Sequence, residues 1–294
     1  MKGVFGMREN RHDTRLCDLH VHSVFSDGTL TPEEIVELAV HKGLCAVALT
    51  DHNTAKGCPR FVAAAEGKPL LAICGTEFTT EYEGTELHLL GLFLPQEVFG
   101  EVEAYTAERN TRKEESNRLT ICKLQEVGYR IGYDELTEAF PNVARNRSHI
   151  ARLLVRKGYA ATVEDAFQKL LNPECGFYTR FPEPDFLKTI VQIKAWGGVA
   201  VWAHPLYHVE LEQAKQILHA AVSAGLDGAE AYYSTYTPEE QAAMLRLTAQ
   251  FGIAASGGSD FHGIVKPEID LGSGKGSLAV PFSCYEALLA RLQK

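Results

Sequence analysis

What this chain of 294 residues lacks narrows its possibilities first. None of its seven cysteines forms a Cys-x-x-Cys pair, and Cys45 and Cys74 lie in apolar, strand-like runs. That usage fits reduced thiols in a cytoplasm rather than a disulfide framework. No apolar run approaches membrane-spanning length, and the polar stretch from Met1 to Arg15 has no apolar core of a secretory signal. A soluble, cytoplasmic protein is therefore expected. Positive charge is also in deficit, with a formal net charge of −9. That balance argues against a protein that grips long duplex nucleic acid by bulk electrostatics. It leaves a small phosphorylated substrate open, because bound divalent metals would invert the local field. Disordered tracts are missing too. With 45% hydrophobic and 23% charged residues, the chain can build one large α/β domain, or a domain plus an insertion.

What is present begins with Leu16 to Asp27, L-C-D-L-H-V-H-S-V-F-S-D. Leu16, Leu19, Val21 and Val24 alternate with polar residues as in a β-strand. His20 and His22, two apart, then project from one face about 7 Å apart along the strand. Such a pair can grip a metal ion, although His-x-His alone is weak evidence. Thr31-Pro32-Glu33-Glu34 supplies an N-cap, a first-turn proline and a capping box for a helix that stops at Gly43. Cys45 to Leu49 reads as a strand buried on both faces, ending in Thr50-Asp51-His52-Asn53. After a helical stretch from Arg60 to Glu66, a second buried strand, Leu70 to Cys74, ends in Gly75-Thr76-Glu77. A hairpin turning at Glu83-Gly84 returns through Leu87 to Leu92 and carries His88.

Between about Val98 and Asp185 buried strands vanish and charged helical segments replace them: Glu101 to Val127, Tyr133 to Phe140, His149 to Lys157 and Val163 to Leu171. This reads as an inserted helical subdomain, residues 98–185, with the flanking 1–97 and 186–294 forming one barrel. Beyond it the strand–helix alternation resumes. Val199 to Ala203 ends in His204-Pro205, and Gly228 to Tyr233 precedes a second capping box at Thr237-Pro238-Glu239-Glu240. Ile253 to Ser256 then ends in Gly257-Gly258-Ser259-Asp260-Phe261-His262, and Leu278 to Phe282 leads into a closing helix that ends near Leu292. Seven or so such units imply a closed or nearly closed parallel barrel.

His20, His22, His52, Glu77, His204, Asp260 and His262 all fall at or just beyond strand ends, where barrel enzymes build their sites. His88 and Asp27 lie close by in the sequence. Each one alone is more readily a hydrogen-bonded structural residue, but the joint placement of all nine points to a metal centre. Imidazole and carboxylate ligands without thiolate suit Mn²⁺, Fe²⁺ or Zn²⁺. Clustered ions lower the pKa of a shared water from 15.7 toward about 7 and neutralise phosphate oxygens. The expected reaction is in-line attack of metal-bound hydroxide on phosphorus, with no general acid assigned; His149 and His208 are candidates.

The chain resembles the PHP (polymerase and histidinol phosphatase) family of metal-dependent phosphoesterases. The matching pieces are D-L-H-V-H-S-x-x-S-D-G (Asp18 to Gly28), T-D-H-N (Thr50 to Asn53), G-x-E (Gly75 to Glu77), E-L-H-L-L-G (Glu86 to Gly91), A-H-P (Ala203 to Pro205) and G-S-D-F-H-G (Gly258 to Gly263). The resemblance implies a distorted (β/α)7 barrel with two to three divalent ions. By position, His20, His22, Glu77 and Asp260 would hold one ion. Glu77 would bridge to a second, held also by His88 and His204, and Asp27, His52 and His262 would hold a third. Asp51 would orient a ligand or cap its loop.

R-S-H-I-A-R-L-L-V-R-K-G-Y with V-E-D-A-F (Arg147 to Tyr159 and Val163 to Phe167) resembles the insertion of a subgroup of nucleoside 3′,5′-bisphosphate phosphatases and 5′–3′ exoribonucleases. Arg147 and His149 are the substrate-binding candidates that this resemblance implies, with the insertion as one wall of the site. Arg145 and Arg180 are read as solvated side chains. Two departures stand out. Ser148 replaces a proline, and Leu206-Tyr207-His208 stands where many members have Gly-Arg-Tyr. The substrate expected is a nucleotide or short 5′-phosphorylated oligonucleotide, and a monomer is compatible with everything above. The alternatives are a histidinol-phosphate or other small-metabolite phosphatase, a non-catalytic PHP module, and an amidohydrolase. The last would carry a strand-end lysine or differently placed histidines.

Overall fold

The computed structural model describes residues 14–141 and 143–292; the stretch read as lacking a signal core lies, up to residue 13, outside them. In order the elements are β1 (Leu16–Val21), α1 (Pro32–His41), β2 (Ala46–Leu49), α2 (Cys58–Ala65), β3 (Leu71–Tyr82) and β4 (Thr85–Leu92). Four helices follow: α3 (Phe99–Glu126), α4 (Tyr133–Ala139), α5 (Arg147–Arg156) and α6 (Val163–Ala166). The chain returns through α7 (Phe186–Ala195), β5 (Val199–Ala203), α8 (Pro205–His208), α9 (Leu211–Ser223), β6 (Gly228–Tyr233) and α10 (Pro238–Phe251). It ends with β7 (Ala254–Gly258), β8 (Val280–Pro281) and α11 (Phe282–Leu292). Among the described residues no helix is long and apolar enough to cross a membrane.

The strands form one sheet in the order β7-β6-β5-β4-β3-β2-β1-β8. Neighbours are parallel except that β4 runs antiparallel to both β3 and β5, and β8 antiparallel to β1. The sheet nearly closes where β7 meets β1: Asp260 N donates to His20 O at 2.9 Å and His22 N to Phe261 O at 3.0 Å. This is the distorted α/β barrel expected, with the antiparallel β4 as its main distortion. The sequence explains the elements locally. Thr31 and Glu34 make the full capping box at α1, and Thr237 and Glu240 repeat it at α10. All four residues of β2 are buried, as a strand covered on both faces requires.

Several details differ from the sequence reading. β3 does not stop at Cys74 but runs on to Tyr82, because it pairs with β4 along the whole hairpin. Glu77 therefore sits inside a strand, bridged to His52. The helix expected over Val163 to Leu171 is α-helical only to Ala166 and widens into a π-helical turn over Phe167–Leu171. α2 begins at Cys58, two residues early, where Pro59 suits a first turn.

Residues 99–171 pack their own apolar cluster of Ile121, Leu124, Leu136, Phe140, Ile150, Leu154, Leu170 and Leu171. The barrel packs separate clusters, one of strands against helices around Phe78, Leu87, Leu89, Phe186, Trp202 and Met244, and another around Leu19, Ala48, Leu90, Leu92 and Val201. Along its length α3 also buries the polar residues Arg109, Lys113, Ser116 and Asn117.

The closing seam needs glycine at position 258. A Cβ there would stand 2.4 Å from the His20 Cβ and 2.5 Å from its backbone nitrogen. Gly258→Ala should cost about 1–3 kcal/mol of overpacking, read as a lower denaturation midpoint. Gly100→Ala, where a Cβ meets nothing within 4 Å, should be neutral or stabilising. Equal stability of both variants would show that the seam yields freely.

Candidate metal centre

All nine histidines and carboxylates singled out in the sequence converge on one buried cluster at the C-terminal ends of the parallel strands. Glu77, 1% exposed, is its hub. Its Oε2 lies 3.2 Å from His20 Nε2, 3.1 Å from His22 Nε2 and 3.1 Å from His52 Nδ1. Its Oε1 lies 2.7 Å from His88 Nδ1 and 3.0 Å from His204 Nε2. Asp260 Oδ1 sits 3.2 Å from His22 Nε2. Asp27 Oδ1 faces His262 Nε2 at 3.2 Å and His52 Nε2 at 3.9 Å.

Ligand-type atoms within 4.8 Å of one another fall into overlapping groups. One is His20, His22, Glu77 and Asp260; another is His22, Asp27, His52 and His262; a third is His52, Glu77 and His88. A fourth group, His88, His204 and His208, brings in a residue that the sequence offered only as a candidate acid.

Electrostatics shows what the cluster lacks. Burial alone would raise the Glu77 carboxyl, yet His52, His20 and His88 hold it well below the usual range. Asp27 is depressed in the same way against burial, chiefly by His262 and His52. Burial pushes imidazoles down, but Asp260 and Glu77 lift His22 to about 9 and Glu77 lifts His88 to about 9. Burial wins at His52, which falls to about 3. The carboxylates demand cations, and protons on histidine are the poor substitute within reach. Asp27 Oδ1, Glu77 Oε2, His52 Nδ1, His88 Nε2 and His204 Nδ1 are buried without a hydrogen-bond partner. Orphaned buried acceptors are costly, and divalent ions would satisfy them. The donor set, imidazole and carboxylate without thiol, fits that chemistry.

A second layer aims the imidazoles, as outer partners do in metal sites. His20 Nδ1 donates to Glu230 Oε1 at 3.1 Å, which leaves the Nε2 lone pair facing the cluster. His262 Nδ1 donates to the Asp260 carbonyl at 2.8 Å with the same effect. Asp51 accepts from Ser23 N, Ser23 Oγ and Ser26 Oγ, so it braces the loop that carries Asp27. Asp18 accepts from Ser259 N, Ser259 Oγ and Gly272 N behind Asp260. Asp260 Oδ2 accepts from Tyr233 OH at 2.9 Å and from Lys266 Nζ at 2.7 Å.

Sequence reasoning missed Glu230, Lys266 and Asn146. Glu230 had a signal, a lone acid inside the apolar strand Gly228–Tyr233. Asn146 caps α5 and donates from Nδ2 to Asp27 Oδ2 at 2.9 Å, so the helical region touches the cluster directly.

The two residues expected at the substrate separate. His149 is 1% exposed and both ring nitrogens are engaged. Nε2 donates to Ser26 O at 3.1 Å, and Nδ1 accepts from Asn146 N at 3.1 Å. It is placed as a brace between α5 and the Asp27 loop. Arg147 is loosely held, donating to Glu86 Oε1 and to Leu171 O at 3.5 Å each, with its guanidinium 4.2 Å from the Tyr178 ring centre. Glu86 Oε1 lies 3.6 Å from His88 Nε2, at the edge of the cluster. Arg145 and Arg180 are tied into structure, to Glu114 and Phe140 O and to Glu81 and Gly84 O respectively.

A barrel ending in a buried, thiol-free set of imidazoles and carboxylates defines a metal-dependent hydrolase. The PHP domain model matches residues 18–172, and the chain belongs to the PHP domain family of metal-dependent phosphoesterases. It is 30% identical over 250 residues to the 5′–3′ exoribonuclease of Haemophilus influenzae, covering 85% of this chain and 90% of that protein. It is 27% identical over 247 residues to the 3′,5′-nucleoside bisphosphate phosphatase of Chromobacterium violaceum, covering 83% of this chain and 86% of that one. A crystal structure from Bifidobacterium adolescentis, described as a metal-dependent phosphoesterase, superposes with a TM-score of 0.84 at 30% identity, covering 94% and 96% of the two chains. The chain is thus a hydrolase of phosphate esters.

Glu230→Gln should weaken binding of divalent ions by about 10–100-fold while the fold persists, because an amide keeps one acceptor oxygen where Glu230 uses two, for His20 Nδ1 and the His204 N–H, and the second-layer charge is lost. Chelator competition with Mn²⁺ or Zn²⁺, alongside circular dichroism, reads the effect. Unchanged affinity would reduce Glu230 to a packing residue.

Proposed function

We propose that this chain hydrolyses phosphate esters of nucleotides. It would remove the 3′-phosphate of nucleoside 3′,5′-bisphosphates, cleave short 5′-phosphorylated RNA from its 5′ end, or do both. Two to three ions of Mn²⁺, Fe²⁺ or Zn²⁺ would be held by His20, His22, Glu77 and Asp260, by Glu77, His88 and His204, and by Asp27, His52 and His262. When bound, the ions would make water a nucleophile at neutral pH and offset charge on the phosphate.

The observation that carries the reading is the set of buried acceptors around Glu77 that have no donor. The nucleotide part draws on the relatives named above and on the cations that residues 98–185 bring beside the cluster. Lys113 is buried and donates to Tyr178 OH at 3.1 Å. Burial, with Arg109 and Arg147 nearby, lowers it to about 7. Arg109 pairs with Glu183 at 2.8 Å and Arg147 more loosely with Glu86 at 3.5 Å, so a second phosphate, held away from the reacting one, would restore the charge on Lys113 and compete with Glu86 for Arg147. Residues 98–185 would thus form a helical subdomain that walls the substrate site, on a barrel of 1–97 and 186–294. Arg147 would face the anchored phosphate and His149 would position the Asp27 loop.

A nucleoside 3′,5′-bisphosphate and a 5′-phosphorylated RNA both place the scissile phosphorus on a 3′ oxygen and a phosphate on the 5′ carbon. One site with one anchor therefore serves both. Adenosine 3′,5′-bisphosphate should be turned over in clear preference to adenosine 3′-monophosphate and 5′-monophosphate at saturating Mn²⁺, with 5′-monophosphate as product. Equal turnover of all three would overturn the anchor.

Arg147→Ala should raise KM for the bisphosphate about 10–100-fold, the worth of a charge-assisted contact. Hydrolysis of p-nitrophenyl phosphate should stay nearly unchanged, since only remote binding is removed. Matching losses on both substrates would make Arg147 structural.

A further inference from the structure

We propose that His208 is a metal ligand that completes an imidazole trio with His88 and His204. The inference rests on the metal-centre reading above and extends its ligand set. His208 is the last residue of the short helix α8, which begins directly after His204. That single turn folds the His208 ring back over the cluster. Its centroid lies 5.0 Å from that of His88 and 5.3 Å from that of His204. Each of the three rings offers a nitrogen within 4.8 Å of one from each of the others.

The second observation is chemical. His208 Nε2 is buried and has no hydrogen-bond partner. His88 Nε2 and His204 Nδ1 share that condition. Imidazole nitrogens are strong polar groups, and leaving one unpartnered on each of three neighbouring rings costs free energy with no return inside the protein alone. Tyr207 beside it is 66% exposed and meets the His204 ring edge-on at 5.7 Å, whereas the His208 nitrogen is buried.

A further imidazole changes what this part of the centre prefers. His88 and His204 alone would leave open positions, as catalytic sites do. Adding His208 makes a group of three imidazoles, which favours Zn²⁺ and the later first-row metals over Mn²⁺ and Mg²⁺. The ion held there would be bound tightly, while the ions nearer His20 and Asp27 keep positions for water and substrate. His208 would thereby set the metal selectivity of one part of the centre.

The test measures metal binding and does not depend on turnover. Metal-stripped wild-type protein, His208→Ala and His208→Gln are titrated with Zn²⁺ and with Mn²⁺ against a chromophoric chelator, and stoichiometry is checked by elemental analysis. Melting of the metal-free proteins and circular dichroism control for folding. The glutamine variant keeps a polar side chain of similar reach should alanine fail to fold. Loss of one tight Zn²⁺ equivalent, or a tenfold or greater fall in its affinity, supports the assignment when Mn²⁺ binding at the remaining sites persists. Co²⁺ substitution adds a signature, since losing an imidazole shifts the visible absorption of one ion only. Wild-type-like Zn²⁺ stoichiometry, affinity and Co²⁺ spectrum in both variants would overturn it, even with an altered KM. Failure of the wild-type protein to take up any ion would instead refute the metal centre itself.

Discussion

The structure depends on a carboxylate that the protein cannot satisfy by itself. Glu77 lies 1% exposed amid the rings of His20, His22, His52, His88 and His204. Removing a charge from water costs several kcal/mol per ion even after relaxation, so roughly that burden falls on each carboxylate here. Protonating some of the imidazoles offsets part of it but sets like charges close together. Divalent ions resolve both problems at once, and any ion that binds only the folded chain adds its binding free energy to folding. The cluster is therefore more stable with metal than without it.

The barrel supplies the geometry that this chemistry needs. Parallel strands bring His20, His22 and His204 to one end, and the antiparallel β4 brings His88 up beside Glu77. Outer carboxylates then fix the rings and loops. Glu230 serves two parts of the cluster, accepting from His20 Nδ1 and from the backbone N of His204 at 2.7 Å. Asp51 and Asp18 play the same part for the Asp27 and Asp260 loops. From the side, Asn146 of the helical region reaches Asp27. The helical region is thus tied to the site by a hydrogen bond, so a substrate that moves α5 would also move a candidate ligand.

Much of this was legible in the sequence, for reasons that mark where legibility ends. His20 and His22 were readable because a strand repeats every two residues. His204, Asp260 and His262 were readable because buried apolar runs end abruptly beside them. The helical stretch announced itself where such runs disappeared. Glu77 was placed near a strand end but lies within β3, because pairing along a hairpin, a tertiary matter, decides where that strand stops. Glu230 escaped because one acid in an apolar strand has no periodicity to announce its partner. The different placements of Arg147 and His149 were also hidden. Two residues apart on one helix, they face different neighbours, and only the packing of α5 on the Ser26–Asp27 loop decides which nitrogen is spent.

The backbone records the same constraint as the side chains. Asn53, His204 and Asp260 all adopt positive φ, at 54°, 31° and 57°. Non-glycine residues held in such conformations cost about 1–3 kcal/mol each and persist only where their surroundings impose them. All three follow strands at the same end of the barrel, and two are candidate ligands. The restraints are visible: Glu230 accepts the His204 N–H, Asp260 N donates to His20 O at 2.9 Å, and Asn53 N donates to Glu77 O at 2.9 Å. Each strained turn is thus pinned by a hydrogen bond to a ligand or to the carboxylate that orients one. Relaxing any of them would swing an imidazole or carboxylate out of the cluster, so backbone strain and ligand convergence are two expressions of one arrangement. Glycine at positions 204 and 260 would relieve the strain and forfeit the ligand, so the histidine and the aspartate are kept there at that energetic cost.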